Sequence, residues 1–212
     1  MVKFIFARHG FSVFNKEKRF SGQFDVELNE VGLKQAKETA DFVFKNFKID
    51  KIYSSDLKRA KTTAELLSLA LNLPVIYDKN FREIDVGKWQ TLTFEEVKNK
   101  FPISFEIYKN DVGFGHPDGG ESFADFTTRC AYTIKKLATE NDGKTLFIST
   151  HGGVVRAIRC ALNNMSLSEM KNIPHVANSS LTILEYEKGK WNFVATGITD
   201  HLSEKATEFT VQ

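Results

Sequence analysis

Two His-Gly pairs carry the chemistry most plainly: Arg8-His9-Gly10 near the start, and Thr150-His151-Gly152-Gly153 far along the chain. Each closes a short apolar run with the pattern of a buried strand, residues 2–7 and 144–150. In a parallel α/β sheet, ligands bind beyond the carboxyl ends of the strands. The two imidazoles are therefore predicted on one rim, facing each other. Glycines such as Gly10 and Gly152 let backbone approach a bound group, and free N–H groups there favour an anion.

Three more groups are predicted on the same rim. Arg59 lies just inside the helix that follows the strand 51–54, and Arg82-Glu83 follows the strand 74–77. Each has a plainer reading: a strand-end histidine is often structural, Arg59 could be a solvated helix charge, and Arg82-Glu83 a surface ion pair. Together, however, Arg8, His9, Arg59, Glu83 and His151 supply two guanidiniums, two imidazoles and a carboxylate. Guanidinium forks match phosphate oxygens. A histidine can accept a phosphoryl group, and a carboxylate can protonate a leaving alkoxide and then deprotonate water. That set suffices for phosphoryl transfer without a metal. For His9 to attack, one ring nitrogen must be bare and the other N–H held by a partner such as a backbone carbonyl.

The elements that must position these groups follow from hydrophobic spacing. Leu33, Ala36, Ala40, Val43 and Phe47 recur at helical intervals behind Asn29, a capping residue. A second helix runs through Ala60, Ala64, Leu67 and Leu71. Residues 93–110 read as helical but broken at Pro102, and Ser122-Phe123-Ala124-Asp125 resembles a capping box. Val154–Leu162 is a further helix, and 180–187 with 190–196 a hairpin turning at Lys188-Gly189. The expected fold is α/β: one three-layer domain over residues 1–212, with a mainly parallel central sheet, an antiparallel edge strand and helices on both faces. Residues 198–212 are expected to form a polar surface tail.

Composition narrows the class. The 212 residues suffice for a single domain with a sizeable core. A net charge of +2 with scattered lysines argues against nucleic-acid binding. No apolar run approaches the roughly 20 residues that span a bilayer, and the short apolar start does not read as a secretory signal. A cytoplasmic location is expected. Cys130 and Cys160 read as buried free thiols, and no paired Cys/His spacing suggests a metal, so no metal or other cofactor is expected.

Five segments in order, Arg8-His9-Gly10, Ser54-Ser55-Asp56-Leu57-Lys58-Arg59-Ala60, Glu83-Ile84-Asp85-Val86-Gly87-Lys88-Trp89, Gly120-Glu121-Ser122 and Thr150-His151-Gly152-Gly153, resemble the motifs of the histidine phosphatase (phosphoglycerate mutase-like) superfamily. The likeness runs from residue 3 to about 185. It implies that His9 becomes phosphohistidine, that Arg8, Arg59 and His151 form the phosphate pocket, and that Glu83 is the proton donor. Asn15 and Gln23 match positions that help bind phosphate or substrate, a small phosphate monoester.

Mutases of that family resemble one another in an insertion bearing extra arginines. Here no arginine lies between Glu83 and Ser122, where Lys88, Lys98, Lys100 and Lys109 offer only point charges. A phosphatase is therefore expected, with a phosphoglycerate mutase and a silent phospho-ligand binder as alternatives. Two departures stand out: Val26-Glu27-Leu28-Asn29 replaces a Pro-Leu-Thr pattern, and Gln90-Thr91 replaces an acid and a glycine. Phe11, Phe14, Phe20, Phe24, Phe105, Tyr108 and Phe114 are candidates to roof the pocket. His116 is a weaker substrate contact, and His175 and His201 receive no role. The sequence does not reveal an oligomeric state.

Overall fold

Strand β1 (Val2–Arg8) carries Phe4 and Phe6 into one hydrophobic cluster and Ile5 and Ala7 into another, and all four are buried. A strand apolar on both faces needs cover on both faces, and the rest of the chain provides it. The computed structural model describes residues 1–110 and 115–204. After β1 come α1 (Val13–Glu17), α2 (Glu30–Asn46), β2 (Lys51–Ser54), α3 (Lys58–Leu71) and β3 (Val75–Tyr77). Then follow α4 (Phe94–Lys100), α5 (Pro102–Asn110), α6 (Phe123–Glu140), β4 (Thr145–Thr150), α7 (Gly152–Leu162), β5 (Leu181–Glu187) and β6 (Lys190–Ile198).

The six strands form one sheet in the order β3-β2-β4-β1-β5-β6. The pairs β3–β2, β2–β4 and β4–β1 are parallel, whereas β1–β5 and β5–β6 are antiparallel. The expected three-layer α/β fold is observed, and its antiparallel edge is a two-stranded hairpin. Ala40 and Val43 of α2 and Ala64 and Leu67 of α3 pack with Ile5, Ala7 and Phe147 on one face. Phe126 and Ile134 of α6 and Val155 and Ile158 of α7 pack with Phe4, Phe6, Leu146 and Ile148 on the other. Each fully buried phenylalanine here contributes roughly 1.5–3 kcal/mol.

Local chemistry sets the helix ends. The Asn29 side chain accepts from Gly32 N at 2.9 Å and caps α2. Thr93 and Glu96 form a capping box on α4, and Pro102 opens α5, where its missing N–H costs nothing. Ser122 caps α6 through Asp125 N.

Two expectations change. The loop after His9 holds the short helix α1, made possible because Ser12 and Asn15 form a capping box. The end of the chain is not simply a polar surface tail: Leu202 is buried, the His201 ring lies 3.1 Å from Thr39 Oγ1, and Ser203 N and Oγ donate to the Glu38 carboxylate. His201 and Ser203 thus hold this segment against α2, with the buried Leu202 between them. The remainder of that expected tail, 205–212, lies outside the described residues, as does Phe114. Among the described residues, no helix is long and apolar enough to cross a membrane.

Candidate active site

Arg8 and Thr150 are register partners on the adjacent parallel strands β1 and β4. His9 and His151 therefore leave the sheet side by side, separated by about one inter-strand spacing of 4.8 Å. Their ring centroids stand 5.1 Å apart at an interplanar angle of 62°. Both are buried.

His9 Nδ1 lies 2.8 Å from the Gly10 carbonyl oxygen. A carbonyl only accepts, so Nδ1 carries the hydrogen and Nε2 keeps its lone pair. Burial first, then the guanidinium charges of Arg59 and Arg8, holds the His9 pKa well below its ordinary 6.5. The ring is neutral at physiological pH. The Asn178 side chain fastens the loop by donating to the carbonyls of His9 and Gly10 at 3.1 and 3.3 Å and to Asn15 Oδ1 at 3.2 Å.

His151 Nε2 lies 2.9 Å from Ser55 Oγ, which itself accepts from Leu57 N. In the tautomer where the Ser55 hydroxyl donates to Nε2, the His151 hydrogen sits on Nδ1. That Nδ1 is buried with no partner among the described residues. Burial, Arg59 and His9 push the His151 pKa down as well.

Arg59 is fully buried and donates to the carbonyls of Phe24 at 2.8 Å and Gly22 at 2.7 Å, so it organises the loop before α2 as well as supplying charge. Burial lowers its pKa to about 10, still cationic near neutrality. Arg8 donates through Nη1 to the Val176 carbonyl, and its guanidinium lies over Gly152.

Glu83 is placed from two sides. Its Oε2 accepts from Gly153 N at 3.0 Å, at the positive end of α7, and its Oε1 accepts from Ile84 N at 2.9 Å. A Cβ on residue 153 would collide with Glu83 Oε1, so a side chain there would push the carboxylate aside. Behind Glu83, Arg129 forks onto both Glu121 oxygens at 2.7 and 2.9 Å and donates to the carbonyls of Asn80, Arg82 and Glu83.

These groups border a cavity of about 170 Å³ lined by Arg8, His9, Asn15, Arg59, Glu83 and Gly152 among others. Of the expected site residues, His151 is not among the lining residues and packs its ring against His9. Gln23 does not line the cavity: its Nε2 donates to the Glu83 carbonyl at 3.3 Å and its Oε1 accepts from Arg82, tying the loop to the Glu83 segment. Asn15 does line it, but its Oδ1 is engaged by Ser12 and Asn178. Arg82 does form an ion pair, with Asp56 rather than Glu83, at 2.6 Å.

The roof comes from Phe20, Phe94, Tyr108 and Phe123. Phe20 and Tyr108 were among the sequence candidates. Phe11, Phe14, Phe24, Phe105 and His116 fall outside the lining. Phe105 instead joins the packed core around Trp89, and Phe14 stacks on Phe24.

Four participants have no counterpart among the predicted site residues. Arg156 and His175 line the cavity, and Arg19 stands at its rim bonded to Glu17 and Glu96. Arg129 supports Glu83 from behind. Arg156 was discernible: it follows Gly152 by four residues and Gly153 by three, which puts all three on one helix face. Nothing near His175 in sequence marks it. Among the described residues, no three His, Cys, Asp or Glu side chains are grouped to hold a metal ion.

Comparison with known proteins adds independent findings. The family model described as "Histidine phosphatase superfamily (branch 1)" matches residues 4–199. "Phosphoglycerate mutase-like protein 4" of Arabidopsis thaliana is 30% identical over 206 residues, 96% of this chain and 88% of that protein. "Phosphoserine phosphatase 1" of Hydrogenobacter thermophilus is 33% identical, covering 96% of each. Among solved structures, a phosphoserine phosphatase mutant from Entamoeba histolytica in complex with phosphoserine superposes with a TM-score of 0.84 at 28% identity, covering 95% of this chain and 100% of that one.

Proposed function

This chain belongs to the histidine phosphatase superfamily and is a phosphomonoesterase; we propose that it hydrolyses small phosphate esters without a metal, through a phosphohistidine on His9. The observation that carries this reading is the 2.8 Å contact from His9 Nδ1 to the Gly10 carbonyl, which leaves Nε2 as the nucleophile. In the first half-reaction Nε2 bonds to phosphorus, the ester P–O bond breaks, and Glu83 delivers its proton to the leaving alkoxide. In the second, Glu83 takes a proton from water, the resulting hydroxide attacks phosphorus, and the P–N bond breaks. Inorganic phosphate leaves with Glu83 protonated again. The charge on the transferring group is met by Arg8, Arg59, His151 Nδ1–H and the N–H groups that open α7.

The relatives give the substrate side of the proposal. Phosphoserine and phosphoglycerate are both small anionic phosphate esters, and a cavity of about 170 Å³ suits that size. A cytoplasmic setting belongs to the same reading, consistent with two buried, free cysteines.

The test is hydrolysis of p-nitrophenyl phosphate in EDTA by wild type and His9→Ala. Turnover should survive chelation and fall about a thousandfold or more in the variant. Wild type quenched during turnover of a phosphorus-labelled ester should carry acid-labile label. Full activity in His9→Ala, or complete loss in EDTA, would refute the mechanism. Conversion of 3-phosphoglycerate to 2-phosphoglycerate without net hydrolysis would make the chain a mutase.

A further inference from the structure

Three arginines near the site have a carboxylate within reach. Arg82 pairs with Asp56, Arg129 with Glu121, and Arg19 with Glu17 and Glu96. Arg156 differs. It is buried, at 8% exposure, and no carboxylate among the described residues lies within ion-pairing distance. Its two terminal nitrogens donate to neutral groups, Nη2 to the Met170 carbonyl at 2.7 Å and Nη1 to His175 Nε2 at 2.9 Å. A buried cation without a counter-charge is costly, and Arg156 lines the cavity, where a ligand could provide one.

We infer that Arg156 and His175 form a second anion subsite, which selects phosphate esters whose leaving group carries a carboxylate close to the ester oxygen. This rests on the phosphatase reading above and names its substrate class.

The placement supports it. Arg156 lies one turn of α7, about 5.4 Å of rise, beyond the Gly152-Gly153 pair that faces the phosphate pocket. That distance suits a phosphate and a carboxylate separated by two carbons. His175 stands exposed at the cavity mouth. Because Arg156 can only donate, His175 accepts at Nε2 and must carry its hydrogen on Nδ1, a second donor for an incoming anion. The groups bearing electrostatically on Arg156 are Glu83, Tyr108, Cys160 and Arg159. Of these, Glu83 is the one acid lining the cavity among the described residues. With Glu83 protonated for the first half-reaction, Arg8, Arg59 and Arg156 match in number the three negative charges of a phosphocarboxylate.

The test compares O-phosphoserine and 3-phosphoglycerate with O-phosphoethanolamine and glycerol 3-phosphate, which lack the carboxylate. Wild type should favour the carboxylated esters in kcat/KM. Arg156→Met should reduce that preference by about 10- to 100-fold, chiefly through KM. Arg156→Lys, which keeps the charge without the fork, should retain part of it, and thermal melting checks that each variant is folded. Calorimetric titration of His9→Ala should show phosphoserine binding more tightly than phosphoethanolamine, with the difference lost in His9→Ala/Arg156→Met. Equal kcat/KM for the two ester classes in wild type, or a preference unchanged by both Arg156 substitutions, overturns the subsite and leaves the phosphatase mechanism standing. Failure of wild type to hydrolyse any ester, p-nitrophenyl phosphate included, refutes the mechanism and the subsite with it.

Discussion

The two ends of the cavity are built differently. At the phosphate end, His9 and His151 follow paired strand residues, Arg59 opens a helix directly after β2, and each is tied down by backbone or buried side-chain hydrogen bonds. At the leaving-group end, Phe20, Phe94, Tyr108 and Phe123 come from a loop and three helices, and Arg156 and His175 from one helix and one loop. The first end is held by the ladder of the sheet, the second by side-chain packing and side-chain hydrogen bonds. Sheet geometry tolerates little displacement, while packed aromatic side chains can exchange shapes at modest cost. The phosphate end is therefore suited to fixed chemistry and the other to substrate choice.

Substitutions should expose that contrast. Arg59→Met removes a buried guanidinium from the phosphate end. It should lower kcat about 100- to 1,000-fold, equally for every ester; a loss confined to some esters would break the division proposed here. Gly153→Ala forces a methyl group against Glu83 Oε1. A displaced carboxylate should cost about 100-fold in kcat, less for p-nitrophenyl phosphate, whose good leaving group needs little protonation. An equal loss on all esters would mean that the substitution disturbs phosphate binding rather than the acid.

At the other end, Phe94→Leu should change KM only about two- to fivefold through lost ring contact. The change should differ between aromatic and aliphatic esters, and a uniform fall in kcat would show that the roof also positions the chemistry.

The smallest effect on rate, though not on stability, concerns pH. His9 and His151 are both held neutral on folding. Below about 6.5 the unfolded chain takes up protons that the folded state refuses, so stability falls with acidification until the folded groups themselves titrate. Each histidine accounts for a loss of about 1.4 kcal/mol per pH unit in that window. Melting temperatures measured from pH 7 to pH 5 should decline less steeply in His9→Ala than in wild type. Equal slopes would show that His9 is not protected from protonation.

The same contrast explains what could be read from sequence. Strand-end motifs are local, so Arg8-His9-Gly10 and His151-Gly152 disclosed both their elements and their position on the rim. Glu83 was legible because it lies in the connection that follows β3. The leaving-group end depends on where distant helices cross, which no local pattern encodes. Lack of arginines between Glu83 and Ser122 consequently gave no guide to which cations reach the cavity, since Arg19 and Arg156 arrive from outside that window. Gln23 shows the converse: its side chain turns to the Glu83 carbonyl instead of lining the cavity. Helix α1 and the docking of Leu202 were missed because a five-residue helix and one apolar anchor leave little periodic signal.

Both thiols of the chain, Cys130 in α6 and Cys160 in α7, are buried, and burial raises the pKa of each. Thiolate is thus scarce and shielded, and alkylating reagents or peroxide should leave both thiols of the native protein intact. For spectroscopy this provides a surface without competing reactive sulfur. A cysteine placed at Ile103, 79% exposed on α5, would offer a single address for a fluorophore on the helix that supplies Tyr108 to the roof.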